Sequence, residues 1–289
     1  MTDDRRGVLY VLTSAVMFSG MSVLAKSAGT RIPLPEIIVM RGALTLALTS
    51  ALMRRRGLPL WGARRDLLLL RGAFGFAALV CYFYAVTHLP LADATLIYYC
   101  HPVFTLLLAA ATAGDPLQRR EVFFVLAAFV GVVLVVRPPL LFGGDADDPF
   151  ALAVAFLAAL ISAGVYVLIR GLRHSDDPLR VVFYSAWVSA LLAAPWAAAV
   201  WVAPTGREWA TLAGMGACSF IHQASMARGL HLVRAGRASG LGYVQVPLAM
   251  AAGLIFFAEP VEATAWVGAA VVALGAAMLA SDRPRPPAP

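Results

Sequence analysis

Long apolar stretches separated by short polar joints run along the whole chain. A helix needs roughly 20 apolar residues to cross a hydrocarbon core of about 30 Å. By that measure the pattern predicts ten membrane helices, over residues 7–26, 36–53, 67–88, 91–113, 121–137, 149–170, 178–202, 209–230, 236–258 and 262–281. Little sequence is left for a soluble domain, so the fold class is all-α integral membrane. The joints carry helix-start chemistry. Asp148-Pro149 and Asp177-Pro178 each set an N-cap acid before a proline at the first helical position, and Pro35-Glu36 resembles them. Asp93 lies just inside the start of the fourth helix, and these acids read as caps rather than as sites.

The pattern also repeats. Residues 90–116, PLADATLIYYCHPVFTLLLAAATAGDP, are echoed at 235–260 by AGRASGLGYVQVPLAMAAGLIFFAEP. Pro102 answers Pro247, and Asp115-Pro116 answers Glu259-Pro260. An offset of 144 pairs Gly20 with Gly164, Lys26 with Arg170 and Gly131 with Gly275. The chain therefore divides into a first repeat, 1–140, a linker, 141–148, a second repeat, 149–282, and a proline-rich tail, 283–289, that is predicted to be extended and disordered. Five helices per copy is an odd number, so the second copy must lie upside down relative to the first. Such inverted repeats place a site near the bilayer midplane, between the halves, in secondary transporters.

Composition changes the picture in one respect. The chain is 61% hydrophobic and 13% charged, with a net charge of +7, and a basic excess of that size raises the question of nucleic acid. Its distribution answers it. Seventeen arginines fall on one side when the joints are counted alternately, among them Arg54, Arg55, Arg56, Arg119 and Arg120, against Lys26, Arg31, Arg137 and Arg207 on the other. That bias sets both termini in the cytoplasm and accounts for the charge without nucleic acid. The first helix follows Arg5-Arg6 as a signal peptide would, but it is too long and is read as retained. Cys81, Cys100 and Cys218 lie inside predicted helices without paired spacing, so neither a disulfide framework nor a metal site is expected.

An ionisable group inside a membrane helix costs about 2.5–3.5 kcal/mol on insertion scales, which makes each one a default site hypothesis. All 16 acids lie outside the predicted helices or within about a turn of their ends. The ionisable groups that do enter are Arg41, Arg71, His101 and His222. Each arginine is near enough to a membrane face to snorkel outward instead. Helical spacing puts Arg71, Gly75, Ala78 and Tyr82 on one stripe, and their counterparts are Met215, Ser219, His222 and Met226. The competing reading of that stripe is close helix packing. In the fourth helix Tyr98, His101 and Thr105 share a face beside Pro102, with Tyr99 next to them. The ninth helix offers Tyr243, Gln245 and Pro247. The two prolines are candidate kinks. Gly236-Arg-Ala-Ser-Gly240 suits a small-residue helix contact. No nucleophile with its base, phosphate loop or metal-ligand spacing is present, so an enzyme is not expected and no cofactor is implied.

Met40-Arg41-Gly42, Leu70-Arg71-Gly72, Phe83-Tyr84-Ala85, Leu91-Ala92-Asp93-Ala94-Thr95 and Pro102-Val103-Phe104 resemble the drug/metabolite transporter superfamily in its EamA-type ten-helix branch. Within it they are most like the G-type solute carriers of family 35 and the bacterial S-adenosylmethionine-transporter-like proteins. Asp115 stands where that family commonly has Glu. The resemblance implies rocking of two halves about a central cavity, in a bacterial inner membrane. With the residues above it leads to an expected export of a small anionic or zwitterionic metabolite, an amino acid, its derivative or a carboxylate. The substrate-binding candidates are Arg71, Arg41, Tyr82, Tyr98, Tyr99, His101, His222, Tyr243 and Gln245, with Pro102 and Pro247 as hinges. The alternatives are cationic multidrug efflux and a non-transporting or lipid-moving membrane protein. The partners are a small-molecule substrate and membrane lipid. Ten helices can enclose a pathway in one chain, so a monomer suffices and a homodimer stays open.

Overall fold

The computed structural model describes residues 2–28, 31–89, 91–112, 118–136, 141, 148–258 and 261–281, and every regular element among them is helical. The two acid-proline pairs, Arg137, most of the linker and the proline-rich tail lie outside the described residues. In chain order the helices are α1 (Asp3–Ala28), α2 (Leu34–Arg55), α3 (Arg65–His88), α4 (Leu91–Tyr98), α5 (His101–Thr112), α6 (Arg119–Val136), α7 (Pro149–Gly171), α8 (Pro178–Ala199), α9 (Gly206–Leu232), α10 (Ala235–Leu241), α11 (Gln245–Phe257) and α12 (Ala263–Ser281). Eight runs among the described residues are long and apolar enough to cross a membrane, α4 with α5 and α10 with α11 each counting as one. Of the other two helices predicted to cross, α6 is apolar but begins with three charged residues, and α9 carries several polar residues along its length. The 18 residues of α6 open with Arg119, Arg120 and Glu121, and the 27 of α9 carry Ser219, His222, Gln223 and Ser225.

The caps follow the sequence in two cases of three. Asp148 accepts from the backbone N–H groups of Phe150 and Ala151 at 2.9 and 3.1 Å, and Asp177 accepts from that of Leu179 at 2.8 Å. Glu36 behaves differently. Because α2 starts two residues earlier, at Leu34, Glu36 sits inside the first turn and caps nothing in its own helix. Its buried Oε2 instead accepts from the Val202 N–H at 3.0 Å, pinning the loop between α8 and α9. Asp176 does the same for the loop between α2 and α3, accepting from Ala63 and Arg64 N–H at 2.8 and 3.0 Å. Asp93 lies in the first turn of α4, 2% exposed.

The main helix pairings are α1 with α9, α6 with α12, α2 with α8 and α9, α3 with α7 and α8, and α5 with α7 and α10. Between helices in a membrane, close backbone approach supplies the packing that water would otherwise drive. It is tightest where α6 crosses α12: a Cβ at Gly131 would lie 2.7 Å from the Gly268 carbonyl oxygen, and one at Gly268 would lie 2.6 Å from that of Gly131. The 236–240 run is likewise a contact surface. A Cβ at Gly240 would meet Val125 at 2.7 Å, and one at Gly236 would meet Glu121 at 2.9 Å.

Both proline-bearing runs lose regular α-helical hydrogen bonding ahead of the proline, the first by a break and the second by a tighter turn. The first is interrupted at Tyr99-Cys100, between α4 and α5, and the second passes through a 3-10 turn, Gly242–Val244, between α10 and α11. Pro102 falls in the first turn of α5, where backbone N–H groups have no helical partner in any case and proline costs little, and Pro247 is the third residue of α11, directly after the 3-10 turn. At the first break the Val103 and Phe104 N–H groups both donate to Cys100 C=O, at 3.0 and 3.2 Å. That leaves the Tyr99 carbonyl without its helical donor, and the Tyr243 hydroxyl supplies one at 2.8 Å. A bond between the two runs thus satisfies the backbone that the break frees, as a membrane interior requires.

Candidate functional site

The two proline-bearing runs border one cavity of about 540 Å³, walled by α1, α2, α3, α4, α7, α8 and α9, with His101 from α5 and Gln245 from α11. Its size is that of pockets for small molecules. The structure brings eight of the predicted binding residues to it: Arg41, Arg71, Tyr82, Tyr98, Tyr99, His101, His222 and Gln245. The full stripe of Arg71, Gly75, Ala78 and Tyr82 lines it from α3, and Met215, Ser219, His222 and Met226 line it from α9. Tyr243 is not among the lining residues. Its ring is fully buried behind the wall and its hydroxyl is spent on Tyr99. Thr105 is buried too, donating to the His101 carbonyl at 2.7 Å.

Both arginines turn into the bundle. Arg71 is 9% exposed; its Nη1 donates to the Ser185 hydroxyl, and its Nε has no partner. The contact given for Arg41 is from Nη1 to the soft acceptor Met21 Sδ, at 3.8 Å. No Asp or Glu lines the cavity among the described residues. Two guanidinium groups therefore stand in one cavity without a counter-charge among the described residues, and burying a charge is costly unless a partner of opposite sign compensates it.

Aromatic rings form the opposite character. Tyr82, Tyr98, His101 and Tyr166 follow one another with centroid separations of 4.8, 5.2 and 5.1 Å, close enough for favourable edge and offset contacts. The Nδ1 atom of His101 is buried without a hydrogen bond. His222 is fixed more firmly. Its Nδ1 lies 3.0 Å from the Ser14 carbonyl and 2.8 Å from the Ser14 hydroxyl. Since a carbonyl only accepts, Nδ1 carries the proton of the neutral ring and Nε2 is left as an acceptor. Beside it Gln223 Nε2 donates to the Ser219 hydroxyl at 3.1 Å.

The sequence reading missed Ser162, Tyr166, Ser185 and Gln223, all of which line the cavity. Three were within reach of the 144-residue offset. It carries Phe18 and Ser22 of α1 to Ser162 and Tyr166 of α7, Arg41 to Ser185, and His101 to Gln245, and all eight line the cavity. Scanning for ionisable groups overlooked serines and a tyrosine that gain meaning only from the position they match.

The structure defines a class: a helical, multi-pass membrane protein with a cationic and aromatic cavity among its helices. The chain belongs to the EamA-like transporter family, which matches it twice, over residues 5–137 and 149–281. It is 31% identical over 280 residues to the pseudopaline exporter CntI of Pseudomonas aeruginosa, covering 96% of this chain and 97% of that one. It is 23% identical over 267 residues to an S-adenosylmethionine uptake transporter of Rickettsia felis, covering 92% and 89%. Mouse solute carrier family 35 member G1 is 30% identical over 199 residues, 65% of this chain and 53% of that one. A solved crystal structure at 20% identity superposes with a TM-score of 0.82 over 94% of this chain and 95% of its own, which speaks for the fold.

Proposed function

We propose that the chain is a secondary transporter that exports a small anionic or zwitterionic metabolite, such as an amino acid, its derivative or a carboxylate, across a bacterial inner membrane by alternating access. The observation that carries this reading is the pair of guanidinium groups lining a cavity without a carboxylate. Arg71 grips a carboxylate, for which its fork is suited. Tyr82, Tyr98 and Tyr99 pack on the apolar part, and His101, His222 and Gln245 supply hydrogen bonds. Cationic efflux is disfavoured by the same observation, because a cation entering here meets two positive charges. The similarity to an exporter from Pseudomonas aeruginosa favours the outward direction.

The architecture of this proposal is ten membrane helices in two inverted repeats, 1–140 and 149–282, with both termini in the cytoplasm. Two things support it: the two family matches begin and end 144 positions apart, and that offset turns the pairing of α1 with α9 into that of α7 with α3. The membrane potential drives an anion outward by about 2.3 kcal/mol per charge per 100 mV, so export proceeds without a coupled proton. Purified protein in proteoliposomes, loaded with radiolabelled amino acids and carboxylates, tests both points. Efflux of an anion should rise with an outside-positive potential and fall at least about tenfold in Arg71→Ala, the value of a lost charge-assisted hydrogen-bond pair. Unchanged transport by Arg71→Ala sinks the anion site, and strict dependence on a pH gradient sinks uncoupled export.

A further inference from the structure

We infer that the substrate is a dianion whose two acidic groups are held by Arg41 and Arg71. This rests on the reading of the cavity as an anion site and goes beyond it by fixing the charge of the occupant.

Charge comes first. Both arginines line one cavity, neither faces an Asp or Glu among the described residues, and the Nε of Arg71 is left without a partner. A single carboxylate on Arg71 would leave Arg41 with little more than the thioether of Met21. A second acidic group answers the second guanidinium. Among the described residues no acid lines the wall to receive a substrate's ammonium group, so the occupant's net charge is set by the two arginines.

Position comes from how the neighbouring residues pack. Gly42 and Gly72, each next in sequence to one of the arginines, lie against overlapping turns of α8: a Cβ at Gly42 would lie 3.2 Å from Ala190 Cβ, and one at Gly72 would lie 2.8 Å from Val188 Cβ. The two arginines therefore enter the cavity within about a helical turn of each other along α8, so that one ligand can meet both. Ala78, Tyr82 and Tyr98 line the same cavity and suit the uncharged part of that ligand. His222 lies within electrostatic range of both guanidinium groups, which places both charges on one ligand-sized space. The offset strengthens the assignment, since it carries Arg41 to Ser185 and Arg71 to Met215: the second half supplies no charge of either sign at the matching positions.

The test is ligand-dependent thermal stabilisation of the full-length purified protein, with glutarate, adipate and suberate, the monoamide of each, and leucine as a singly carboxylated control. We expect at least one dicarboxylate to bind about tenfold or more tightly than its own monoamide, the cost of one lost charge-assisted contact. Arg41→Gln should abolish that preference, leaving diacid and monoamide equal, while Arg71→Lys should weaken both. Unliganded melting and circular dichroism establish that each variant is folded; where Arg41→Gln is not, Arg41→Met serves in its place. Equal binding of diacid and monoamide by the wild type overturns the inference, as does a preference that survives in a folded Arg41 variant. Binding of leucine but no diacid overturns it while leaving a monoanionic or zwitterionic carrier standing. Binding of none of these probes overturns it together with the anion-site reading.

Discussion

At the scale of single residues, the membrane interior makes polar side chains informative because each must find a partner or a ligand. Arg71 and His101 were visible in the sequence for that reason, and the structure places both in the cavity with unpartnered nitrogen atoms. Tyr243 was visible for the same reason, yet its hydroxyl is consumed by the Tyr99 carbonyl. Sequence alone shows that a polar group is present, not whether another part of the chain has already satisfied it. Tyr243→Phe removes one donor and leaves that carbonyl buried and unpaired, at a cost of about 1–3 kcal/mol. Thermal melting in detergent should show the loss, while substrate affinity in the folded protein stays within about twofold of wild type, well under the tenfold that a charge-assisted contact is worth. A large change in affinity at an unchanged melting point would place Tyr243 back among the binding residues.

Among the helices, proline and glycine act differently from what their reputation suggests. Pro102 marks a restart, because it occupies a first turn where a missing N–H is harmless, while Pro247 follows a 3-10 turn inside a run that stays helical. Pro102→Ala should therefore alter stability by no more than about 0.5 kcal/mol. A loss as large as the roughly 3 kcal/mol of an interior helix proline effect would show that the residue is holding the break open. Gly268 is the opposite case, since its place against α6 leaves no space for a side chain. Gly268→Val must push α6 and α12 apart, and overpacking of that kind costs about 1–3 kcal/mol. The readout is the midpoint of thermal unfolding, and an unchanged midpoint would mean that the two helices do not cross so closely. The α6–α12 crossing was not legible: the offset makes Gly131 and Gly275 equivalent without saying what either touches, and the structure sets Gly131 against Gly268.

Over the whole molecule, charged contacts tie the bundle at both ends and leave the cavity between them. Near the chain terminus, Arg237 donates to Asp4 and to the Leu279 and Ala280 carbonyls at the end of α12, Arg234 pairs with Glu121 at 2.8 Å, and Arg170 donates to the last carbonyls of α9 at 3.0 and 3.1 Å. At the other end, Arg31 joins the α1–α2 turn to α9 by pairing with Glu208, and its Nη2 donates to Ala203 C=O at 3.0 Å. Glu208 also closes a capping box with Thr205. The hydrogen bond from Arg31, and then those from Thr205, pull the Glu208 carboxyl down to about 2, from an ordinary value of about 4.3. A depressed carboxyl stabilises the fold above its ordinary range and loses that contribution as the pH falls through its folded value. Melting points of wild type and Glu208→Gln should accordingly differ at pH 5–7 and converge as the pH approaches about 2. Parallel curves across that range would show that the ion pair contributes nothing to holding this end closed.

The sequence by itself determined the all-helical membrane class, the 144-residue spacing and eight of the residues that line the cavity. Each of these follows from a local rule: apolar length sets a span, repeated spacing sets a repeat, and a polar group in an apolar run sets a candidate. Only the tertiary structure decided which polar groups are already paired. Glu36 and Asp176 pin loops far away in the sequence, Tyr243 serves a broken neighbour, and Ser185 stands beside Arg71 across a distance of 114 residues. Pairing of that kind depends on how the two halves meet, and in a chain so rich in alanine and leucine no local pattern announces it.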